Sequence, residues 1–435
     1  MKKLFLPIIA AVLTLCGVAV YAFTNHADSR IMAGGTEIPQ LLMRAGDLAK
    51  AAEWQKTQDK VAELTQKIVA EPTDVKPRLQ LATIYMSEGR ITGDAYYNQA
   101  SLILLNGILG LDANNFEATT YKASVAMSLH QFAEAKTMAT KAMQINPSNA
   151  YVYGVLVDAN VELGNYTEAI ALSDKMQTLK PSLESYSRAS YLREINGDYT
   201  GAIAAMDLAV KAGLPGTESA EWARVTLGDL YLATGDLAKA EAAYTSTLSV
   251  RPNFPNAEIG LAKVAKAKKD YVAAIAHTKT AIRIVSEASY IAFLGELQEA
   301  AGDLAEATKI KTEVIRGLER AEKAQNSSEI VMKHNANREL AQAYLAQKNY
   351  AKALTYAKND LALRPENIDA NELVAWVTYL KGDAAAAQPY ADKMLRTNTK
   401  NAEKLHKAAL IYTKIDAAKS TELMTAAKAI NAYIN

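Results

Sequence analysis

Ala135, Ala169, Ala202, Ala240, Ala274, Ala307, Ala353 and Ala387 follow one another at separations of 34, 33, 38, 34, 33, 46 and 34 residues. A near-fixed period of this size restricts a chain to stacked copies of one supersecondary unit, because each copy buries its apolar face only against its neighbours. Alanine is common here, so the weight lies in what surrounds each one. Just ahead of the alanines stand Gly164-Asn165-Tyr166, Gly197-Asp198-Tyr199, Gly235-Asp236-Leu237, Lys269-Asp270-Tyr271, Gly302-Asp303-Leu304, Lys348-Asn349-Tyr350 and Gly382-Asp383-Ala384. Each triplet reads as a helix stop followed by a helix start: the first residue takes the left-handed conformation, and Asp or Asn caps the next helix. Asp303 with Glu306, and Asn165 with Glu168, have the spacing of a capping box. The aromatic or Leu that follows begins a buried face, and the alanine three residues on is small where two helices cross closely. Pro147, Pro181, Pro252 and Pro365 end the second helices, since proline cannot continue one. The expectation is a row of helical hairpins.

Leu227-Gly228, Tyr231, Gly235, Ala240, Tyr244 and Pro252 resemble a full tetratricopeptide-repeat unit. Leu81-Ala82, Tyr85 and Gly89 are similar to the first half of another, and Leu340-Ala341, Tyr344, Tyr350, Ala353 and Pro365 to a third. The resemblance covers roughly residues 75 to 401 and implies an all-α fold: a right-handed superhelical solenoid of antiparallel helix pairs. Leu214, Ser286 and Thr399 stand where the pattern has its terminal Pro, and the longer spacings near Gly213–Ser219 and Gly317–Glu329 require loops or helix extensions. The expected organisation is a signal or anchor over 1–22, a linker over 23–37, divergent helical hairpins over 38–112 with the first repeat-like unit from 75, the main array over 113–401, and capping helices over 402–435. Residues 38 to 70, where Trp54, Val61, Leu64 and Ile68 share one helical face, read as a divergent N-terminal hairpin. Tyr96 to Leu111 reads as an unusually long second helix.

At 435 residues the chain outgrows a single hydrophobic core, which an elongated repeat array resolves. The 48 Lys and Arg nearly cancel the 47 Asp and Glu, and no long run of either sign forms a basic stripe, so nucleic acid is not an expected partner.

Met1, Lys2 and Lys3 precede an almost unbroken apolar run from Leu4 to Phe23, the pattern of an export signal. Val20, Tyr21 and Ala22 offer a cleavage position, Pro7 interrupts the run, and Cys16 is the chain's single cysteine. The same run is also long enough to span a bilayer if it stays uncleaved. A third reading acylates Cys16, although Leu15 stands where such signals carry a small residue. The expected location is periplasmic or extracellular, membrane-anchored if the segment is kept.

No chemistry is legible. The histidines at 26, 130, 277, 334 and 406 are scattered along the chain without metal-ligand spacing, and His130 reads as a solvated turn residue. Nucleophile elbows, phosphate loops and dinucleotide fingerprints are missing from the sequence, so neither an enzyme nor a cofactor or metal is expected. What the resemblance implies instead is a concave groove lined by first helices. Carried over position by position, it comprises Tyr151, Asp158 and Glu162; Glu184, Tyr191 and Glu194; Trp222 and Asp229; Arg338 and Gln342; and Asp369, Glu372, Trp376 and Tyr379. Aromatic faces beside carboxylates suit a peptide or protein segment carrying Lys or Arg, while aromatics at such positions also pack between repeats. The reading is an exported protein–protein interaction scaffold. The second reading is a periplasmic carrier or sensor subunit for a small molecule or glycan.

Overall fold

The computed structural model describes residues 31–327 and 331–434. The export or anchor segment, Cys16 and His26 lie outside them. Two short antiparallel strands, β1 (Ile31–Ala33) and β2 (Thr36–Ile38), and a 3-10 turn (Gly46–Lys50) precede α1 (Ala52–Ala70). The other helices come in consecutive pairs: α2 (Val75–Thr92) with α3 (Tyr96–Leu111), α4 (Phe116–Ser128) with α5 (Phe132–Ile145), and α6 (Ala150–Leu163) with α7 (Tyr166–Leu179). Next are α8 (Leu183–Ile195) with α9 (Tyr199–Ala212), α10 (Glu218–Ala233) with α11 (Leu237–Val250), and α12 (Pro255–Ala267) with α13 (Tyr271–Ile284). Then follow α14 (Ala288–Ala300) with α15 (Leu304–Ser327), α16 (Asn337–Ala346) with α17 (Tyr350–Leu363), α18 (Ile368–Leu380) with α19 (Ala384–Leu395), and α20 (Ala402–Tyr412) with α21 (Ala417–Ile430). No described helix is long and apolar enough to cross a membrane.

The turn chemistry does what the triplets require. Gly164, Gly197, Gly235, Gly302 and Gly382 have φ between 78° and 98°, and Lys269 and Lys348 adopt the same left-handed conformation. Asp198, Asp236, Asp303, Asn349 and Asp383 each accept a hydrogen bond from the backbone N–H three residues on, at 2.8 to 3.3 Å. Asn165 departs from the capping-box expectation: its side chain caps nothing and donates instead to Asn160 Oδ1 at 3.2 Å. Seven of the eight recurring alanines have no exposed surface and Ala307 has 2%, as a close helix crossing demands.

Contacts divide the described residues into two compact units: 31–159, Ile282–Ala288, 316–327 and 331–336 form the first, and Asn160–Ala281, Ser289–Ile315 and 337–434 the second. In the first unit the stretch expected as a linker is partly structured. Residues 31–38 form the β-hairpin, and Thr36 meets Gly107 of α3 so closely that a Cβ there would lie 2.7 Å from its methyl group. Residues 39–45 are not helical; they are strapped to α2 and α3 by three hydroxyls, Tyr85 donating to Pro39 O (2.6 Å), Tyr96 to Gln40 O (2.7 Å) and Tyr97 to Leu42 O (3.1 Å). Arg44, buried, closes the strap with two hydrogen bonds to Glu88 at 2.8 and 2.7 Å and lies over Trp54. The expected N-terminal hairpin is therefore a single helix, α1, whose buried residues are Trp54, Val61, Leu64 and Ile68.

In the second unit the core is a succession of small clusters, each shared by adjoining helices, as nearest-neighbour stacking requires. Tyr244 of α11 shows how tightly they fit: its ring lies against Gly228 of α10 and Gly260 of α12, where an added Cβ would meet ring carbons at 2.6 and 2.4 Å. The 46-residue spacing between Ala307 and Ala353 is absorbed by α15, which at 24 residues outlasts the 16 of α3.

Candidate partner-binding site

First helices of the second unit bring acidic and aromatic side chains together. Glu162 stands near the end of α6, Tyr191 and Glu194 on α8, and Asp229 on α10; Arg338 is on α16, and Asp369, Glu372, Trp376 and Tyr379 are on α18. Lys404 and Lys407 come from α20 and Arg364 from the turn after α17. Arg364 is 1% exposed; it forks onto Asp360 at 2.9 and 2.7 Å and reaches Glu162 Oε2 at 2.5 Å. Lys404 bonds Asp369 at 2.5 Å and also Glu372, and Lys407 bonds Glu372 at 2.6 Å. Trp376 and Tyr379 stack with centroids 5.3 Å apart, and the Lys407 ammonium lies 5.9 Å from the Trp376 ring.

The charges are not evenly compensated. Burial pushes the Glu372 carboxyl up, but the two lysines prevail and hold it at about 2. Burial also raises Glu162, against the pull of Arg364 and Arg338. Glu194 is pushed to about 7, first by burial and then by Asp229 and Asp369, which outweigh Lys404. Tyr191 is raised well above its ordinary value by burial, with Asp369, Glu162 and Glu194 adding to the effect. The residue is nevertheless 42% exposed. A group that a water molecule can touch, yet that is poorly hydrated, lines a recess rather than a convex surface. Among the described residues neither the Tyr191 hydroxyl nor the Glu194 carboxyl has a hydrogen-bond partner. Asp229, by contrast, accepts from Tyr244 Oη at 2.9 Å. The potential at these two unpaired groups is therefore negative.

Of the expected positions, Glu162 feels Arg338 and Asp369, Tyr191 feels Asp369, Glu162 and Glu194, Glu194 feels Asp229 and Asp369, and Glu372 joins the group through Lys404, which bonds both it and Asp369. Other expected positions fall elsewhere. Tyr151 and Asp158 belong to the first unit, where the Tyr151 ring meets Tyr121 edge-on at 5.7 Å and its hydroxyl lies 3.0 Å from Ser124 Oγ. Tyr151 thus packs between successive first helices. Glu184 sits in the first turn of α8: burial pushes its carboxyl up, but hydrogen bonds from Ser182 and its own backbone, with Lys180 and Arg188, lower it on balance. Trp222 is exposed on α10 two turns from Asp229, and Gln342 is exposed on α16.

His130 is not the solvated turn residue expected. In the first unit it is half-buried at φ 57°, stacks on Phe132, places Nδ1 3.2 Å from Asn335 O, and lies 4.7 Å from the His334 ring. Two histidines that are remote in sequence are neighbours in space. Sequence reasoning also missed Lys404 and Lys407, although the signal was present: each follows its partner, Asp369 or Glu372, by 35 residues. Carrying the groove register one unit further, into the segment read as a cap, would have found them.

Two tetratricopeptide-repeat family models match, over residues 126–182 and 225–289. No curated protein matches. Among solved structures, a thermophilic TPR protein of Thermus thermophilus is 20% identical, with 44% of this chain and 100% of that one covered and a TM-score of 0.40. PilW, a type IV pilus biogenesis factor, is 19% identical over 48% of this chain and 97% of its own, with a TM-score of 0.40. A tetratricopeptide repeat protein from Parabacteroides merdae is 18% identical over 57% and 96%, with a TM-score of 0.43.

Proposed function

The chain is a tetratricopeptide-repeat protein, and from that premise we propose that it is an exported interaction scaffold whose second unit takes a Lys- or Arg-bearing segment of a protein partner. The observation that carries this reading is the unpaired Tyr191 and Glu194 in a recess where Asp369, Glu162 and Asp229 make the potential negative. A cationic side chain placed there gains the face of an aromatic ring and a carboxylate together, in a setting less screened than open water. Repeats of this kind serve as binding surfaces, and the reading is of a scaffold, not an enzyme. Export is supported by Lys2, Lys3 and the apolar run that follows them.

Fluorescence anisotropy with acetylated tetralysine and tetraglutamate peptides tests the site. Tetralysine should bind in a salt-sensitive manner, tetraglutamate should not, and Tyr191→Ala should weaken tetralysine binding by about ten-fold or more. Equal binding of both peptides, or indifference to Tyr191→Ala in a protein that melts normally, overturns the reading. A small molecule retained through purification from its native source would turn it toward a carrier. Intact mass settles export: a mature species beginning near Phe23 is expected, and a full-length, detergent-extracted one would make the segment an anchor.

A further inference from the structure

The hairpin turns of the second unit do more than reverse the chain. Asn367 donates from Nδ2 to Val161 O at 3.2 Å, and the Ile368 N–H donates to Tyr166 Oη at 2.9 Å. Arg396 donates to Gly164 O at 2.6 Å and lies over the Tyr166 ring. One hairpin later Thr397 Oγ1 donates to Ile195 O at 2.8 Å, and after another Asn431 Nδ2 donates to Leu232 O at 3.0 Å. These bonds recur at sequence separations of 206, 202, 202 and 199 residues for the Asn367, Ile368, Thr397 and Asn431 donors. That separation is about six of the 34-residue periods. Three successive turns on one side thus meet three successive loops on the other.

Two glycines record how close the approach is. A Cβ on Gly164 would lie 2.3 Å from the Glu366 carbonyl group, and one on Gly197 2.5 Å from Asn398 O. Gly302 and Gly382 occupy the same kind of turn, also at positive φ (90° and 98°), yet have nothing within 4 Å. Left-handed backbone explains glycine at all four; contact with a remote backbone explains it at only two.

We propose that this seam is a conformational lock: it closes the second unit on itself, joining α6–α11 to α17–α21, and holds the walls of the recess at fixed separation before any ligand arrives. The lock stands on these contacts alone and does not depend on what the recess binds. Asn367 offers a selective way to cut it. Its Oδ1 caps α18 through the N–H groups of Asp369 and Ala370, both at 2.9 Å, while only Nδ2 crosses the seam. Asn367→Asp keeps the cap and sets an oxygen against Val161 O.

Hydrogen exchange on the full chain tests the proposal, with Asn349→Asp, a cap with no bond across the seam, as control. In the wild type the amides of 161–166 and 366–368 should exchange slowly. Asn367→Asp should speed both segments together by about ten-fold, since opening one side frees the other, and Asn349→Asp should leave them unchanged. Gly197→Ala should lower the melting temperature far more than Gly382→Ala, although Gly382 has the more positive φ, 98° against 79°. If Asn367→Asp affects only its own helix start, or the two glycine variants melt alike, the lock is wrong. Should Gly197→Ala fail to fold while Gly382→Ala folds, the asymmetry itself supports the seam.

Discussion

Glu162 and Arg364 stand 202 residues apart in the chain and are joined by a hydrogen bond of 2.5 Å, with Asp360 gripping the other edge of the same guanidinium. Arg364 and Asp360 are 1% and 3% exposed. Removing one partner of a buried pair leaves the other's charge without solvent or counter-charge. Arg364→Met should therefore lower the unfolding free energy by about 3–5 kcal/mol. Urea titration checks it, with Lys393→Ala as comparison: its pair with Glu366 is half exposed on both sides, and its loss should cost under about 1 kcal/mol.

Tyr244 sets a second contrast. Its ring fills the space beside Gly260, so Gly260→Ala forces ring or helix to move and should cost about 1–3 kcal/mol. Gly110 in α3 has nothing within 4 Å of where its Cβ would stand and does not need a positive φ. Gly110→Ala should instead stabilise, by up to about 1 kcal/mol, because the unfolded chain loses freedom while the helix loses nothing. Thermal melting of the two variants should move in opposite directions.

The helical hairpins were legible because their signals are local: Gly235-Asp236-Leu237 stops one helix and starts the next without reference to anything far away. The strap over residues 39–45 was not, since Tyr85 reads as a repeat aromatic and Tyr96 and Tyr97 as the start of a long second helix, and nothing in their spacing says that their hydroxyls hold an extended segment. The seam was hidden for a similar reason. Gly164 and Gly382 are identical as turn signals, and only the fold tells which has a remote backbone against it. Part of the recess was readable through helix register, which placed Tyr191, Glu194, Asp369 and Glu372 correctly on first helices. Which of these are already neutralised depends on Lys404, Lys407 and Arg364, whose places in the sequence read only as capping and punctuation.

Glu194 gives a pH dependence whose sign is fixed. Its carboxyl is held at about 7 in the folded chain against an ordinary 4.5, chiefly by burial and then by Asp229 and Asp369. The folded state therefore binds its proton more tightly than the unfolded state does, and this contribution is fully present below pH 4.5 and lost as pH rises through 7. Glu194→Gln should flatten that part of the melting-temperature profile, leaving the variant more stable than wild type at pH 8 and nearly equal to it at pH 5. A profile unchanged by the substitution would mean that another group titrates there. Tetralysine binding should weaken over the same interval as pH falls, because protonation removes the anion that a cation would meet.

Glu372 runs the other way. Lys404 and Lys407 both bond to it, and against the effect of burial they hold its carboxyl at about 2. Its stabilising contribution is present above the ordinary value of 4.5 and is lost as pH falls through 2. Glu372→Gln should then be clearly less stable than wild type at pH 7, leaving Lys404 with Asp369 alone and Lys407 without its carboxylate, and the gap should close as pH drops toward 2. This makes Glu372 a poor residue with which to probe binding: Glu372→Lys would set a third cation beside two and break α18 from α20 before any partner is considered. Trp376 is separable from it. The ring is half-buried and stacked on Tyr379, so Trp376→Ala should cost about 1–3 kcal/mol through lost packing, while Trp376→Phe should recover most of that. If Trp376→Ala instead melts like wild type and loses tetralysine binding, the ring belongs to the recess rather than to the wall behind it.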